Sequence, residues 1–196
     1  DAEAIAAIKN IVMTGSVEIP AAGITGKVKV IQVKPDKIST VMELPQVGTQ
    51  TQVFDGETGW ISSGVMGVQK MSDDQIAQTK AQLAVQTMDG FKETFKKARI
   101  VSKSEFDGAE AYEMNVVTKA DQEMSMFFDV ESGLMNGMKI VSDTPMGKIP
   151  MEVCMRDYQS EGPMKMSRKT VIKVGPQQIV MTIDDVTVDT ANPAYT

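Results

Sequence analysis

Apolar and polar residues alternate along most of this chain, with the period of two that a half-buried strand requires. Ile11, Met13, Val17 and Ile19 fall in one phase, with Gly15 among them as a bulge or a close approach of backbones. Val28 and Val30 lie opposite Lys27 and Lys29, and beyond the Pro35-Asp36 turn Ile38, Met42 and Leu44 share a face. Residues 46–55 read as a polar strand, and Trp60-Ile61 leaves the turn that follows. The alternation resumes over 112–119 and continues in Met124, Met126 and Phe128, in Met138 and Ile140, and in Met151, Val153 and Met155. Residues 164–173 lead through a Gly175-Pro176 corner to Ile179, Met181 and Ile183, and Val186 and Val188 close the set. Asn192-Pro193 marks a frayed tail.

Two stretches carry helical signals instead. Residues 1–9 are rich in Ala and Ile and read as the last turns of a helix. Ser72-Asp73-Asp74-Gln75 is a capping box, in which the Ser hydroxyl and the Gln side chain satisfy each other's orphan N–H groups. The two Asp also suit the helix dipole. Ile76, Leu83 and Ala84 make a thin apolar stripe, which predicts a surface helix and not a deeply buried one. After Asp89-Gly90 a second short helix pairs Phe91 with Phe95 at i, i+4.

One corner recurs three times: Phe54-Asp55-Gly56-Glu57-Thr58-Gly59-Trp60, Phe106-Asp107-Gly108-Ala109-Glu110-Ala111-Tyr112 and Phe128-Asp129-Val130-Glu131-Ser132-Gly133-Leu134. Each reads Phe-Asp, a short turn, then a large apolar residue six positions after the Phe, as a repeated hairpin device would. Phe54 and Trp60 are expected to pack on a single face. About ten strands joined by short turns make an antiparallel meander, apolar on one side and wet on the other. Only the helices at 1–9 and 72–97 are available to cover the apolar side. The expected fold is therefore mainly β (α+β): a curved antiparallel open half-barrel of about ten strands, with helices on its concave face.

Composition narrows the function. The 196 residues suit one domain spanning 1–196, with 26 acidic against 20 basic residues and a net charge of −6. That balance argues against nucleic acid, and no basic run marks a polybasic membrane patch; Phe95-Lys96-Lys97-Ala98-Arg99 reads as a solvated face. Histidine is absent, which removes His triads, Cys-His pairs and His-ligated zinc together. Cys154 stands alone as a small buried hydrophobe. Asp73-Asp74 and Asp184-Asp185 are neighbours in sequence only, so no nucleophile or acid–base pair is assembled, and a non-enzyme without cofactors is expected. No apolar run is long enough for stable membrane insertion. Asp1 in place of Met fits either a removed leader or a domain excised from a longer exported protein.

Sixteen Met concentrate in the inward phase of the strands. Unbranched, polarisable thioethers line surfaces that accept varied apolar ligands, although ordinary core filling uses them too. Met124-Ser125-Met126 and Met164-Lys165-Met166 also offer paired sulfurs of the kind Cu(I) takes, without a His or second Cys in support.

The order of helix, strands, the Asp55-Gly56…Trp60 corner, capped helix and the Phe128-to-Leu134 corner resembles the outer-membrane lipoprotein-sorting proteins of the LolA/LolB-like lipoprotein-carrier superfamily. Asp157-Tyr158 before Gly162-Pro163 is similar to a late strand pair in domain-only members. The resemblance implies an open half-barrel plugged by helices, a periplasmic location, and the acyl chains of lipid or lipoprotein as partner. Similar domains also occur within larger envelope proteins, which leaves an accessory domain with a filled core and a protein partner as the alternative. The expected ligand lining is Trp60, Phe91, Phe95, Met114, Met124, Met126, Phe128, Met138, Met151, Met155 and Met166, uncovered when the weakly held helix lifts.

Overall fold

The computed structural model describes residues 2–64, 66–87, 91–144 and 147–191. The Asp89-Gly90 turn and the Asn192-Pro193 tail fall outside them. Helix α1 (Ala2–Ala7) precedes a first run of strands: β1 (Asn10–Ile19), β2 (Ile24–Val33), β3 (Lys37–Leu44), β4 (Gly48–Phe54), β5 (Gly59–Ser63) and β6 (Gly67–Lys70). Helices α2 (Asp73–Thr87) and α3 (Phe91–Thr94) follow. The second run is β7 (Phe95–Phe106), β8 (Ala109–Thr118), β9 (Glu123–Asp129), β10 (Met135–Thr144), β11 (Gly147–Glu161), β12 (Met164–Val174) and β13 (Gln177–Val188). All thirteen strands belong to one sheet in the order β6-β5-β4-β3-β2-β1-β13-β12-β11-β10-β9-β8-β7, so the expected open antiparallel architecture, mainly β with few helices, is the observed one.

There are more strands than the alternation predicts, and the additional ones are the two edges. Strand β6 is exposed throughout, and β7 is exposed at every position from Lys96 to Lys103. A strand that buries neither face has no need of alternation, so the pattern is silent there. Phe95 accordingly opens β7 and does not extend a helix. It still meets Phe91, with ring centroids 4.6 Å apart at 42°.

The three Phe-Asp corners are not one device. At the first, Asp55 Oδ1 accepts from the N–H groups of Glu57 and Thr58 at 2.9 and 2.7 Å. At the third, Asp129 Oδ1 likewise accepts from the Ser132 N–H at 2.7 Å. The second is a two-residue turn in which Asp107 (φ 51°) and Gly108 (φ 81°) are both left-handed, the conformation that matches strand twist. Trp60 also departs from expectation. Phe54 pairs with Gly59 and Trp60 with Val53, so Phe54 and Trp60 point to opposite faces; Phe54 is fully buried and Trp60 is 49% exposed.

The chain forms two compact units: Asp1–Ser72 with Asp157–Lys169 and Ile179–Thr196, and Asp73–Arg156 with Thr170–Gln178. In the first, Ile8, Ile11 and Met13 pack with Val30, Met164, Met166, Ile183 and Val186. Val17, Val28 and Leu44 form a neighbouring cluster with Met42, Ile179 and Met181. The β1–β13 ladder steps by one residue beside Gly15, where Thr14 pairs with Asp185 and Gly15 with Ile183, leaving Asp184 as the extra residue. The sequence pattern marks Gly15 correctly as a close approach, but the bulged residue is on the facing strand. A Cβ on Gly15 would lie 1.9 Å from the Thr182 carbonyl oxygen, which belongs to backbone and cannot rotate away. Gly15→Ala should therefore destabilise the fold by about 2 kcal/mol or more, read as a lower urea midpoint with an unchanged slope.

Candidate functional site

The second unit carries the methionine-rich face. Strands β8 to β11 pair so that the same phase runs across three ladders. One row is Val116, Met124, Ile140 and Met151; the next is Met114, Met126, Met138 and Val153. Phe128 pairs with Tyr112 and Met135 in a third row. Helix α2 lies over this face: Ala81, Ala84, Phe95, Val116, Met124, Met126, Met135 and Met138 form one buried cluster, flanked by Phe91, Met114, Phe128, Ile140, Val153 and Met155.

The helix sits lower than its thin stripe predicts. Thr79, Ala81, Leu83 and Ala84 are all buried. Two of these are Ala and one is Thr, small enough to let the helix axis approach the sheet without large knobs. The Thr79 hydroxyl is satisfied by donating to the Gln75 carbonyl at 2.9 Å. Polar ties at its margins include Gln78 Nε2 donating to the Val141 carbonyl at 3.2 Å and Gln122 Nε2 donating to the Asp74 carbonyl at 3.1 Å.

Of the residues expected to line a ligand site, Phe91, Phe95, Met114, Met124, Met126, Phe128, Met138 and Met155 come together here, with Met151 in the adjoining row. Trp60 and Met166 belong to the first unit, Trp60 on β5 and Met166 against the Ile8, Ile11 and Met13 cluster. The Met124/Met126 and Met164/Met166 pairs each pack within their own unit's apolar cluster. Ala81, Val116 and Met135 complete the face and were not singled out by pattern. Val116 keeps the strand phase of Met114, whereas Met135 is out of phase with Met138 and reaches the same face through the register step between Met135 and Gly137.

Coverage is incomplete at the β7 side. Ile100 pairs with Met114 and extends its row, yet is 58% exposed; Tyr112, in the row of Phe128, is 41% exposed. The apolar face thus runs without interruption from beneath α2 to open solvent. An open depression of about 370 Å³ also lies on this unit, bordered by Asn115, Val117, Glu123, Ser125, Lys139, Val141 and Pro150 together with residues of the first methionine row. Among the described residues none of α2 lines it.

The opposite face of the same strands has different chemistry. Phe106 and Phe127 stack at 4.1 Å and 8°, and Lys139 Nζ stands 5.3 Å from the Phe127 centroid. Phe127 neighbours Phe128 in sequence, and adjacent strand residues take opposite faces, so this second aromatic layer was open to a strict period-two reading. Beside it, Arg156 donates to both carboxylate oxygens of Asp107 at 2.6 and 2.5 Å, and Lys173 Nζ lies 2.6 Å from Glu152 Oε1. Arg156 holds the Asp107 carboxyl below the usual carboxylate range, and Lys173 does the same for Glu152. Cys154 is fully buried among them, and burial pushes its thiol up to about 11, making it an inert packing residue.

No protein-family model matches the sequence, and no curated protein matches it. Solved structures do. A domain described as an outer membrane lipoprotein-sorting protein domain, from Vibrio parahaemolyticus, superposes with a TM-score of 0.61 at 10% identity, covering 95% of this chain and 88% of that one. A LolA superfamily protein from Nitrosomonas europaea gives 0.62 at 10% identity, over 96% and 90% of the two chains. A DUF1329 family protein from Desulfovibrio piger gives 0.66 at 7% identity, over 100% and 92%. At such identities the likeness shows the fold alone, an open antiparallel sheet that this chain shares with these three proteins.

Because the folded-state pKa of Asp107 is depressed, its pairing with Arg156 contributes stability above the ordinary carboxylate range and loses it as pH falls through the depressed value. Asn tolerates the left-handed backbone, so Asp107→Asn removes the charge and keeps the turn. Urea unfolding should show the variant about 1 kcal/mol less stable at neutral pH. The two proteins should converge in acid; a gap that persists there would mean the turn, not the ion pair, is responsible.

Proposed function

We propose that this domain is a non-enzymatic binding module of the cell envelope, and that its methionine-lined face takes up acyl chains of lipid or lipoprotein when α2 lifts. The observation that carries this is the continuity of the face: Met126 and Met138, covered by α2, share a row with Met114 and the exposed Ile100. A chain end settling on Ile100 and Tyr112 can advance by displacing α2, exchanging helix–methionine contacts for acyl–methionine contacts of similar kind. Burial of about 0.8 kcal/mol per CH₂ favours a long chain over the small side chains of Ala81 and Ala84. Phe91, Phe95, Met124, Phe128, Met151 and Met155 complete the proposed lining. The likeness of fold to lipoprotein-sorting domains supports an exported, periplasmic setting. No described helix is long and apolar enough to cross a membrane.

A second possibility is a protein-binding accessory domain in which the methionine face is permanent core. The complete burial of Met126 and Val116 by the protein's own side chains favours it.

The two separate experimentally. Native mass spectrometry should detect oleate or phosphatidylglycerol bound to the wild type. Gln78→Cys/Val141→Cys, closed by a cleavable bifunctional maleimide, should lose that adduct and regain it on cleavage; buried Cys154 does not compete for the reagent. Ala81→Leu, which wedges the helix upward, should raise hydrogen exchange in α2 and bind the same lipids more tightly. Absence of lipid on the wild type and on Ala81→Leu alike would leave the accessory domain as the better account.

A further inference from the structure

The two ends of the strands in the first unit differ in chemistry. In an antiparallel meander the turns β1–β2, β3–β4 and β5–β6 fall at one end, and the turns β2–β3 and β4–β5 at the other. The chain through the first set is free of charge: residues 19–26, 44–54 and 58–69 hold no Asp, Glu, Lys or Arg. Pro20, Ala21, Ala22 and Pro45 are exposed there, as are Met66 (55%) and Val68 (69%). The other end carries Lys34, Asp36, Lys37, Asp55 and Glu57, together with Lys9 and Asp189 at the chain's terminal strands.

Each of the three uncharged turns pairs one of its N–H groups internally, with no carboxylate involved. The Gly23 N–H donates to the Pro20 carbonyl at 3.1 Å and the Val47 N–H to the Leu44 carbonyl at 3.0 Å. The Met66 N–H donates to Ser63 Oγ at 3.1 Å, and Pro20 and Pro45 have no N–H to satisfy. At the charged end carboxylates accept beside the backbone carbonyls: Asp55 takes the N–H groups of Glu57 and Thr58, and Asp189 takes that of Lys9 at 2.8 Å. Internal pairing of polar backbone is what entry into a medium poor in water demands. Strand spacing sets successive tips about 10 Å apart in a row, an arrangement that meets a broad surface and not a single pocket.

We propose that this uncharged end of the first unit docks on the surface of a lipid bilayer, with the tips at Ala22, Val47 and Met66 entering the headgroup region. Charge is set back to Glu18, Lys27 and Glu43, where the ladder pairs Lys27 with Glu43. Attraction therefore comes from apolar contact, and zwitterionic lipid suffices. The proposal concerns a different unit from the acyl-binding face and stands or falls separately from it.

The test places an environment-sensitive nitrobenzoxadiazole label, one at a time, on Ala22→Cys, Met66→Cys and Glu57→Cys; Cys154 is buried and stays unlabelled. On phosphatidylcholine vesicles the first two labels should brighten and shift to the blue and the Glu57 position should not, with little change when salt is raised. Met66→Asp combined with Val68→Asp, both at exposed sites, should weaken vesicle partitioning about tenfold or more while leaving oleate binding in solution as in the wild type. Equal responses at all three labels, no response at any, or binding that requires anionic lipid and disappears in salt would overturn the proposal.

Discussion

The sheet depends on one pairing, that of its first strand with its last. Strands β2 to β6 hang from β1 and strands β7 to β12 from β13, so the β1–β13 ladder is the seam between two local meanders. Its open end is fastened by polar groups: Asn10 Nδ2 donates to the Thr190 carbonyl at 3.2 Å and the Thr190 N–H to Asn10 Oδ1 at 3.0 Å. The N–H groups of Lys9 and Asn10 both reach Asp189 Oδ1. Every other strand pair in the described registers joins sequence neighbours, but this one must close a loop of nearly the whole chain before it is rewarded. The close approach at Gly15 sits in that ladder, which is why one missing Cβ matters to the entire sheet.

The second unit shows how one set of strands can hold two kinds of interior. On one face, methionines in successive rows accept a helix through Ala and Thr, with dispersion and little directional bonding. On the other, Phe106 and Phe127 stack beneath Lys139, and carboxylates fix Arg156 and Lys173. The second arrangement is specific in geometry; the first is tolerant. A face that must exchange its cover for a ligand belongs on the tolerant side, where polarisable thioethers adapt to whatever lies against them.

Much of this was legible from residues alone, because burial of one face writes itself into period-two alternation. The methionine rows and the close approach at Gly15 were readable in this way, and helix α2 was readable from the acidic start signal at Asp73-Asp74. The edges β6 and β7 were not, since strands exposed on both faces leave no such trace. The placing of Trp60 failed on parity: the corner makes Phe54 face Gly59, so a residue six positions on takes the other side. Met166 has the same strand signature as Met155, and nothing in a local pattern tells which cluster a methionine joins. The depth of α2 was misjudged because its seat is built of Ala and Thr, residues that carry little hydrophobic signal.

The open sheet has two free edges, and their irregularity has a consequence for the molecule at high concentration. Strand β6 offers only four residues, and β7 carries an extra residue at Lys96 and another at Val101, where its register with β8 steps. Lys97, Arg99 and Lys103 repeat positive charge along the same strand. A second copy laid against β7 would lose hydrogen-bond register at each bulge and bring lysine against lysine. An architecture with thirteen strands in a row is by geometry a template for endless lateral growth, and this chain closes off that growth with disorder of register and like charge instead of by joining its ends into a barrel.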